Sequence, residues 1–264
     1  MPLKDVSIGI KTFLRDDKLF RAVDGIQETM PEAQIIVADD GYLAGKEWIS
    51  YEKEILYQEL EKEGHIVLRM PFDSGFGAKS NAIAKAVLRP YLLIGSDDFD
   101  FADPQARAGI ETMAHALDTY GRYYGVSGRV NNQPNEFWLD DLGDTIIERY
   151  ADVTPRYTVD FPKVYDVDLT VNYTMFHRDT FREIGWDKEA LIGQGEHGSF
   201  FVDLKRAGFK IGFIPGVNIN EQSGRDSDEY YTYRYRARSS ERSCFVKRGI
   251  KKYILADGTV DYEE

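Results

Sequence analysis

Apolar positions along the chain follow two rhythms, one of short β-branched runs and one of helical recurrence, and they take turns. Residues 6–13 carry Val6, Ile8 and Ile10 and predict a buried strand. Leu19, Phe20, Val23, Ile26 and Met30 then recur at helical spacing, in a helix that Asp16 or Asp17 caps and Pro31 closes. Residues 34–38 predict a second strand. Residues 44–63 predict a charged helix with Trp48, Ile55, Leu56 and Leu60 on one side and Gly64 at its end. A third strand at 65–70, a loop at 71–77, a small-residue helix at 78–88 and a fourth strand at 91–95 follow. This alternation predicts an α/β fold with a doubly wound, mostly parallel sheet and right-handed crossovers.

Beyond Pro104 the pattern loosens. Ile110, Met113, Ala114 and Leu117 predict a helix, and residues 123–127 a strand. Residues 131–168 have weak periodicity and are too long for a plain connection, which predicts short strands or a mobile lid. A strand at 170–176, a short helix at 180–184, a helix bearing Phe200, Phe201, Leu204 and Ala207, and a strand at 210–214 complete the series. The expected organisation is one domain over residues 1–225, with a basic helical extension over 226–264 packed on it.

Composition narrows the function. With 264 residues, 42% hydrophobic and 30% charged, the chain is long enough for a substantial core. A net charge of -12 argues against a general nucleic-acid binder, because such affinity comes from neutralising phosphates. Residues 230–253 run against that average: Arg234, Arg236, Arg238, Arg242, Lys247, Arg248, Lys251 and Lys252 face only Glu241. Tyr230, Tyr231, Tyr233 and Tyr235 interleave with the arginines, a pattern suited to stacking on bases, to packing on the sheet, or to a lid that brings an arginine over a ligand. Cys244 is the single cysteine, which excludes an intrachain disulfide and a thiolate zinc site. With no signal-like leader and no apolar run of membrane-spanning length, the expectation is a cytoplasmic protein without a membrane span.

The chemistry concentrates at strand ends. Ser96, Asp97, Asp98 and Asp100 follow the fourth strand, and Asp39 and Asp40 follow the second. Open α/β sheets bind ligands at that edge, and clustered carboxylates there suit a hard cation such as Mg2+ or Mn2+. The plainer reading is an acidic turn in which Asp103-Pro104 caps the next helix. Gly75-Phe76-Gly77-Ala78-Lys79-Ser80 is neither a dinucleotide fingerprint, being after the third strand, nor a phosphate loop, having Ala78 before its lysine. What survives is a glycine-rich turn into a helix N-terminus, with free N–H groups and Lys79 able to meet a phosphate. His65 and His115 read as structural and His177 follows a strand edge. Glu196-His197 at a helix start offers a general base, or merely an acidic first turn.

Together these blocks resemble a GT-A glycosyltransferase of the family-2 type, and most resemble the catalytic domains of β-1,4-N-acetylgalactosaminyltransferases. The resemblance is carried by Lys11-Thr12-Phe13-Leu14-Arg15, by Ile35-Ile36-Val37-Ala38-Asp39-Asp40, by the turn from Pro71-Phe72 to Asn81, and by the strand from Tyr91 to Phe101. It continues through Asp168-Leu169-Thr170-Val171-Asn172-Tyr173, Arg182-Glu183-Ile184-Gly185-Trp186-Asp187 and Gly195-Glu196-His197 with Phe200-Phe201. It implies a metal-dependent, inverting transfer of a sugar from a nucleotide-sugar, a UDP-sugar by preference, to an acceptor hydroxyl. Thr12, Arg15, Asp39, Asp40, Lys79, Asn81 and Asp97 would bind the donor. Asp98, Asp100 and Glu221 would hold Mn2+ or Mg2+, and Glu196 or His197 would be the base.

Four departures from the family pattern bear on this. Ser96 stands at the first acidic position of the metal strand, Ser80 replaces an arginine, Ser199 replaces an acidic residue before Phe200, and Asn220-Glu221 replace a histidine. The acceptor stays open among glycan, lipid-linked, protein and modified nucleic-acid hydroxyls. Two other classes compete. A sugar-phosphate nucleotidyltransferase would need a glycine-rich loop after the first strand, and residues 11–17 contain no glycine. A non-catalytic nucleotide-sugar or glycan-binding module would accommodate Ser96 and Ser199.

Overall fold

The computed structural model describes residues 3–41, 50–153, 157–158, 161–170, 173–182, 184–191, 195–236 and 243–264. The first half follows the expected alternation. Strand β1 (Val6–Thr12) leads to α1 (Asp16–Thr29), β2 (Gln34–Asp39), α2 (Tyr51–Lys62), β3 (Ile66–Arg69), α3 (Gly75–Ala86), β4 (Tyr91–Ser96) and α4 (Pro104–Tyr120). Strands β5 (Gly125–Val130), β6 (Phe137–Asp141), β7 (Thr145–Tyr150), β8 (Tyr157–Thr158), β9 (Phe161–Pro162), β10 (Tyr165–Val167) and β11 (Thr174–His177) come next. Then follow α5 (Glu196–Arg206), β12 (Ile211–Ile219), α6 (Asp228–Arg236), α7 (Ser243–Val246), β13 (Lys252–Ile254) and β14 (Val260–Glu263).

The main sheet has eight strands in the order β10-β12-β5-β11-β4-β1-β2-β3. Strands β3, β2, β1 and β4 are mutually parallel. Strand β11 enters antiparallel between β4 and β5, and β10 closes the far edge antiparallel to β12. The sheet is therefore mostly parallel, as the pattern predicts, with two reversed strands that apolar periodicity has no means of orienting. Two apolar layers cover its faces. One joins β1 through Ile8 and Ile10 to α1 and α4. The other joins Leu92 and Ile94 to Phe76 and Ile83 of α3, Phe200 and Phe201 of α5, and Phe245 and Tyr253 near the C-terminus.

Several local expectations change. Helix α2 is described from Tyr51, behind the Ser50 cap, and residues 42–49 with Trp48 lie outside the described residues. Its buried side is Lys53, Tyr57 and Leu60, while Ile55 is exposed. Asp16 and Asp17 lie in the first turn of α1, whose N-cap position is Arg15 and makes no side-chain cap bond. Asp103 does cap α4, its side chain accepting from Gln105 N at 2.9 Å. The stretch at 131–168 resolves into short strands, of which β6 and β7 form a hairpin.

The C-terminal extension is only partly helical. Residues 237–242 lie outside the described residues, α6 and α7 are helices, and β13 and β14 are strands in a second sheet ordered β14-β13-β7-β6. The physical reason is alternation: Tyr253 buries itself against the second layer while its neighbours on either side stay more exposed, which is the period of a strand.

Candidate active site

Parallel register brings the strand ends together. Thr12 pairs with Asp39 across β1 and β2, and Lys11 pairs with both Ala38 and Ser96. The carboxylates of Asp39, Asp40, Asp97 and Asp98 are thus gathered at the C-terminal edge of three adjacent strands, the edge at which doubly wound sheets receive ligands. Asp39 and Asp97 are fully buried and Asp40 nearly so. Buried carboxylates require partners, and each has them.

Arg15, in the turn between β1 and α1, reaches across to the acidic end of β4. Its guanidinium closes on Asp97, and its Nη1 donates to Asp98 Oδ2 at 2.7 Å. Thr12 Oγ1 donates to Asp97 Oδ2 at 2.7 Å. Burial works against ionising Asp98, but Arg15 and the Ser96 hydroxyl outweigh it and hold the carboxyl below its usual range. For Asp97 burial prevails and raises it.

The second acidic pair is equally engaged. Tyr57 Oη donates to Asp39 Oδ2 at 2.7 Å, Lys53 Nζ lies 2.8 Å from the same oxygen, and Gly41 N donates to Oδ1 at 2.8 Å. Lys79 Nζ donates to Asp40 Oδ1 at 2.5 Å and to the Thr12 carbonyl at 3.2 Å. Gly75 N donates to Asp40 Oδ2 at 2.9 Å. The glycine-rich segment is therefore the first turn of α3 itself rather than a loop, and the N–H of Gly75, expected to be free for a phosphate, is already bonded. Gly75 has φ 89, which favours glycine there.

Asn81 does not join this group. Two residues beyond Lys79 it points to another side of α3, where it exchanges hydrogen bonds with the backbone of Trp186, 2.8 Å to the carbonyl and 3.0 Å from the N–H.

The three expected metal ligands do not form a cage. Asp100 Oδ1 accepts from Ala102 N at 3.2 Å, and Glu221 Oε2 accepts from Asn131 at 2.8 Å. Their backbones are adjacent: Phe99 and Glu221 form an antiparallel bridge, and Gln222 N donates to the Asp98 carbonyl at 2.6 Å. Among the described residues no three His, Cys, Asp or Glu side chains converge to hold a metal. Magnesium-type sites ordinarily use one or two carboxylates and complete their shell with substrate phosphates and water. Asp98, ionised and partly exposed, fits that role provided Arg15 yields its oxygen.

Glu196 and His197 open α5, behind Gly195 at φ 83. Trp186 stacks on Phe200 at 4.1 Å and fixes this end of the helix against the second apolar layer. Glu196 is buried, at 5% exposed. The His197 ring lies 4.3 Å from that of Phe76. Burial, then Lys11, then Arg234, push its pKa down to about 3, so the imidazole is neutral near pH 7.

Above the strand ends lies α6. Tyr233 meets Phe13 at 5.3 Å and Phe72 at 5.4 Å, both edge-on. Tyr230, 2% exposed, receives Arg15 on its ring face at 4.7 Å, and its hydroxyl accepts from Arg234 at 2.6 Å. Tyr231 and Tyr235 instead stack on each other at 5.6 Å. Lys18 Nζ, 2.9 Å from Asp226, ties α1 to the approach to α6.

Lys11, Lys53 and Tyr57 were not singled out by sequence reasoning. A signal existed for Lys11, a lysine inside a strand whose every residue is buried. None existed for Tyr57, whose partner Asp39 is distant in sequence.

No protein-family model matches the chain. It is 30% identical over 222 residues to mouse β-1,4 N-acetylgalactosaminyltransferase 2, covering 82% of this chain and 39% of that protein. It is 25% identical over 249 residues to human β-1,4 N-acetylgalactosaminyltransferase 1, covering 87% and 43%. The chain thus spans about two fifths of the length of these relatives. Among solved structures it resembles GalNAc-T7 with UDP, GalNAc and Mn2+ at TM-score 0.63 and 17% identity, over 84% of this chain and 43% of that one. It also resembles the mannosyltransferase PcManGT from Pyrobaculum calidifontis in complex with GDP-Man and Mn2+, at TM-score 0.56 and 12% identity, over 89% and 61%. No helix among the described residues is long and apolar enough to cross a membrane. The chain is a homologue of the β-1,4-N-acetylgalactosaminyltransferases built on the GT-A glycosyltransferase fold.

Proposed function

We propose that this chain is the catalytic part of an inverting glycosyltransferase that moves a sugar from a nucleotide-sugar, a UDP-sugar in the first instance, to an acceptor hydroxyl. The observation that carries the reading is the gathering of Asp39, Asp40, Asp97 and Asp98 with Thr12, Arg15 and Lys79 at one sheet edge. The named activity of the relatives and the Mn2+ and nucleotide ligands of the fold neighbours support it. Residues 226–264 belong to the same unit in this reading, since α6 covers the site. A reducing, cytoplasmic setting is part of the same proposal, supported by the lone and buried thiol of Cys244.

Each residue has a task in this mechanism. Asp39 and Thr12 frame the nucleoside. Asp98, with Asp97 behind it, would hold Mn2+ or Mg2+, a Lewis acid whose charge offsets that of the departing diphosphate. Arg15, displaced from Asp98, stays within reach of the same phosphates, so positive charge is kept at the leaving group. Lys79 fixes Asp40 and, through the Thr12 carbonyl, the end of β1. Glu196 takes the proton of the acceptor hydroxyl. His197 serves this step poorly, because an imidazole held near 3 is a weak base.

A non-catalytic binding module is the second reading, and one observation favours it: Arg15 already neutralises the acidic pair. Release of free sugar from UDP-GalNAc by the purified protein, with and without Mn2+, separates the two. Thermal stabilisation by the nucleotide without any sugar release would leave the module; Mn2+-dependent release establishes the enzyme.

A further inference from the structure

The first turn of α5, which opens with Glu196, has little of its own to hold it. Its N-cap is Gly195, at φ 83 and with no side-chain cap bond. The place of an uncapped helix end is set by whatever packs against it. Here that is the end of the chain. The Phe245 ring of α7 comes so close that a methyl group on Gly195 would stand 2.8 Å from it, and one on Gly198 3.4 Å. Tyr253 of β13 covers the same turn, its hydroxyl 3.0 Å from the place of a Gly198 methyl. Glycine inside a helix is about 0.5–1 kcal/mol worse than alanine, and at Gly198 it makes room for this approach.

The two rings are buried, stack on each other at 4.5 Å, and are anchored on the side away from α5. Tyr253 Oη donates to Glu148 Oε1 of β7 at 2.8 Å, and β13 runs parallel to β7 with Tyr253 beside Ile146. Further contacts follow α5 along its length. Cys244 meets the Ser199 side chain, whose hydroxyl donates to the Glu196 carbonyl at 3.2 Å. Arg248 Nε donates to Asp203 Oδ1 at 2.8 Å, and the Arg248 carbonyl accepts from Arg206 at 3.1 Å. Residues 243–264 thus grip α5 from Gly195 to Arg206 and tie it to the second sheet.

We propose that residues 243–264 form a strap that fixes the first turn of α5, with Phe245 and Tyr253 as positioning residues for the Glu196 carboxylate. The assignment rests on the reading of Glu196 as the base given above. A base must stand within about 2.6–3.2 Å of the group whose proton it takes, and a misplacement of about 1 Å can cost on the order of 10²-fold in rate. The residues assigned to the donor stand at the ends of β1, β2 and β4. The strap therefore bears on the proton-transfer step and leaves nucleotide affinity alone.

The test separates positioning from plain packing. Phe245→Ala empties a core position and should lower Tm whatever its role. Sugar release from UDP-GalNAc with Mn2+, water standing in for the acceptor, is then measured well below Tm. There kcat should fall roughly tenfold or more, with KM and UDP affinity unchanged. In a Glu196→Gln background the same substitution should cost little further, because the strap acts through that carboxylate. A lower Tm with kcat unchanged, a UDP affinity that falls as far as kcat, or an undiminished further loss in the Glu196→Gln background would overturn the strap. Phe245→Leu repeats the measurements should the alanine variant not fold, and failure of both to fold would show a plain core residue and overturn it as well. If the unsubstituted chain releases no sugar, or Glu196→Gln leaves kcat unchanged, the reading of the function or of the base fails instead. Amide exchange over residues 199–201 then decides the strap alone: faster exchange in Phe245→Ala with β1 and β4 unchanged supports it, and unchanged exchange overturns it.

Discussion

Arg15 Nη1 lies 2.7 Å from Asp98 Oδ2, and the same guanidinium closes on Asp97. A side chain from the turn after β1 thus occupies the oxygen that a divalent cation would use. The pair is internal electrostatic compensation, and under the proposed function the guanidinium and a metal ion would compete for it.

Competition has a measurable sign. Arg15→Gln leaves the buried Asp97 and the part-buried Asp98 without their cation and should lower the stability of the ligand-free chain by about 3–5 kcal/mol. Mn2+ added without nucleotide should then raise Tm more in the variant than in the unsubstituted protein. Equal Mn2+ responses in the two would show that Arg15 and the metal do not share Asp98.

The neighbouring aspartates should separate cleanly. Asp98 is partly exposed, so Asp98→Asn should fold normally and lose the Mn2+ dependence of UDP binding together with sugar transfer. Asp97 is fully buried beneath Thr12 and Arg15, so Asp97→Asn should cost on the order of 3 kcal/mol of stability before any effect on binding is considered. Urea unfolding of both variants checks the contrast, which fails if Asp98→Asn is the less stable.

The base is tested by kinetics. Glu196→Gln should lower kcat by roughly 10²–10⁴ with the UDP affinity nearly unchanged, since the group acts on the acceptor proton. If His197→Ala gives that pattern and Glu196→Gln does not, the imidazole is the base.

Much of this was legible in the sequence, for stated reasons. Strands β1, β2 and β4 are short β-branched or aliphatic runs, and acidic residues past their ends mark a ligand edge whatever the loops do. The partners of those acids were not legible. Arg15 and Asp98 are 83 residues apart, and only parallel pairing of β1 with β4 brings them together. Helix α2 buries Leu60 and packs Leu56 on the core as expected, but Tyr57 rather than the more apolar Ile55 takes the buried side. The tyrosine wins the buried side through its hydroxyl bond to Asp39. The antiparallel entry of β11 left no trace, because alternation carries no direction. The terminal strands were missed because lysine-rich composition masks the alternation around Tyr253.

Two depressed cations shape the stability curve. His197 titrates near 6.5 when unfolded and about 3 in the fold, so between those values the unfolded chain binds the extra proton. Stability therefore falls as pH drops from about 6.5 towards 3. Lys11 titrates near 10.4 when unfolded and about 7 in the fold, so stability rises from about pH 7 to 10.4 as the unfolded lysine loses its proton too. Urea unfolding across pH should show the alkaline rise reduced in Lys11→Met and the acid loss reduced in His197→Gln. A Lys11→Met profile parallel to that of the unsubstituted chain above pH 7 would contradict the buried, unpaired lysine.

The last prediction separates the two sides of α6. Tyr233 packs edge-on against Phe13 and Phe72, whereas Tyr231 stacks on Tyr235 along the helix and meets Tyr230 and Arg225. If the basic segment is a packing helix over the donor site, Tyr233→Ala should release it locally. Amide exchange in residues 228–236 should then accelerate about tenfold for each 1.4 kcal/mol of lost packing, with global unfolding little changed. Tyr231→Ala should leave that protection nearly intact. A nucleic-acid-binding surface predicts the reverse dependence: Tyr231 and Tyr235 would matter, and affinity for single-stranded DNA would fall log-linearly with salt. The inward tyrosines already hold the helix against β1 and Phe72, and the chain carries a net charge of -12, so DNA binding should be absent even at low salt. Salt-sensitive DNA binding lost in Tyr231→Ala, with α6 exchange unchanged in Tyr233→Ala, would show that α6 serves a polyanionic acceptor and does not close the site.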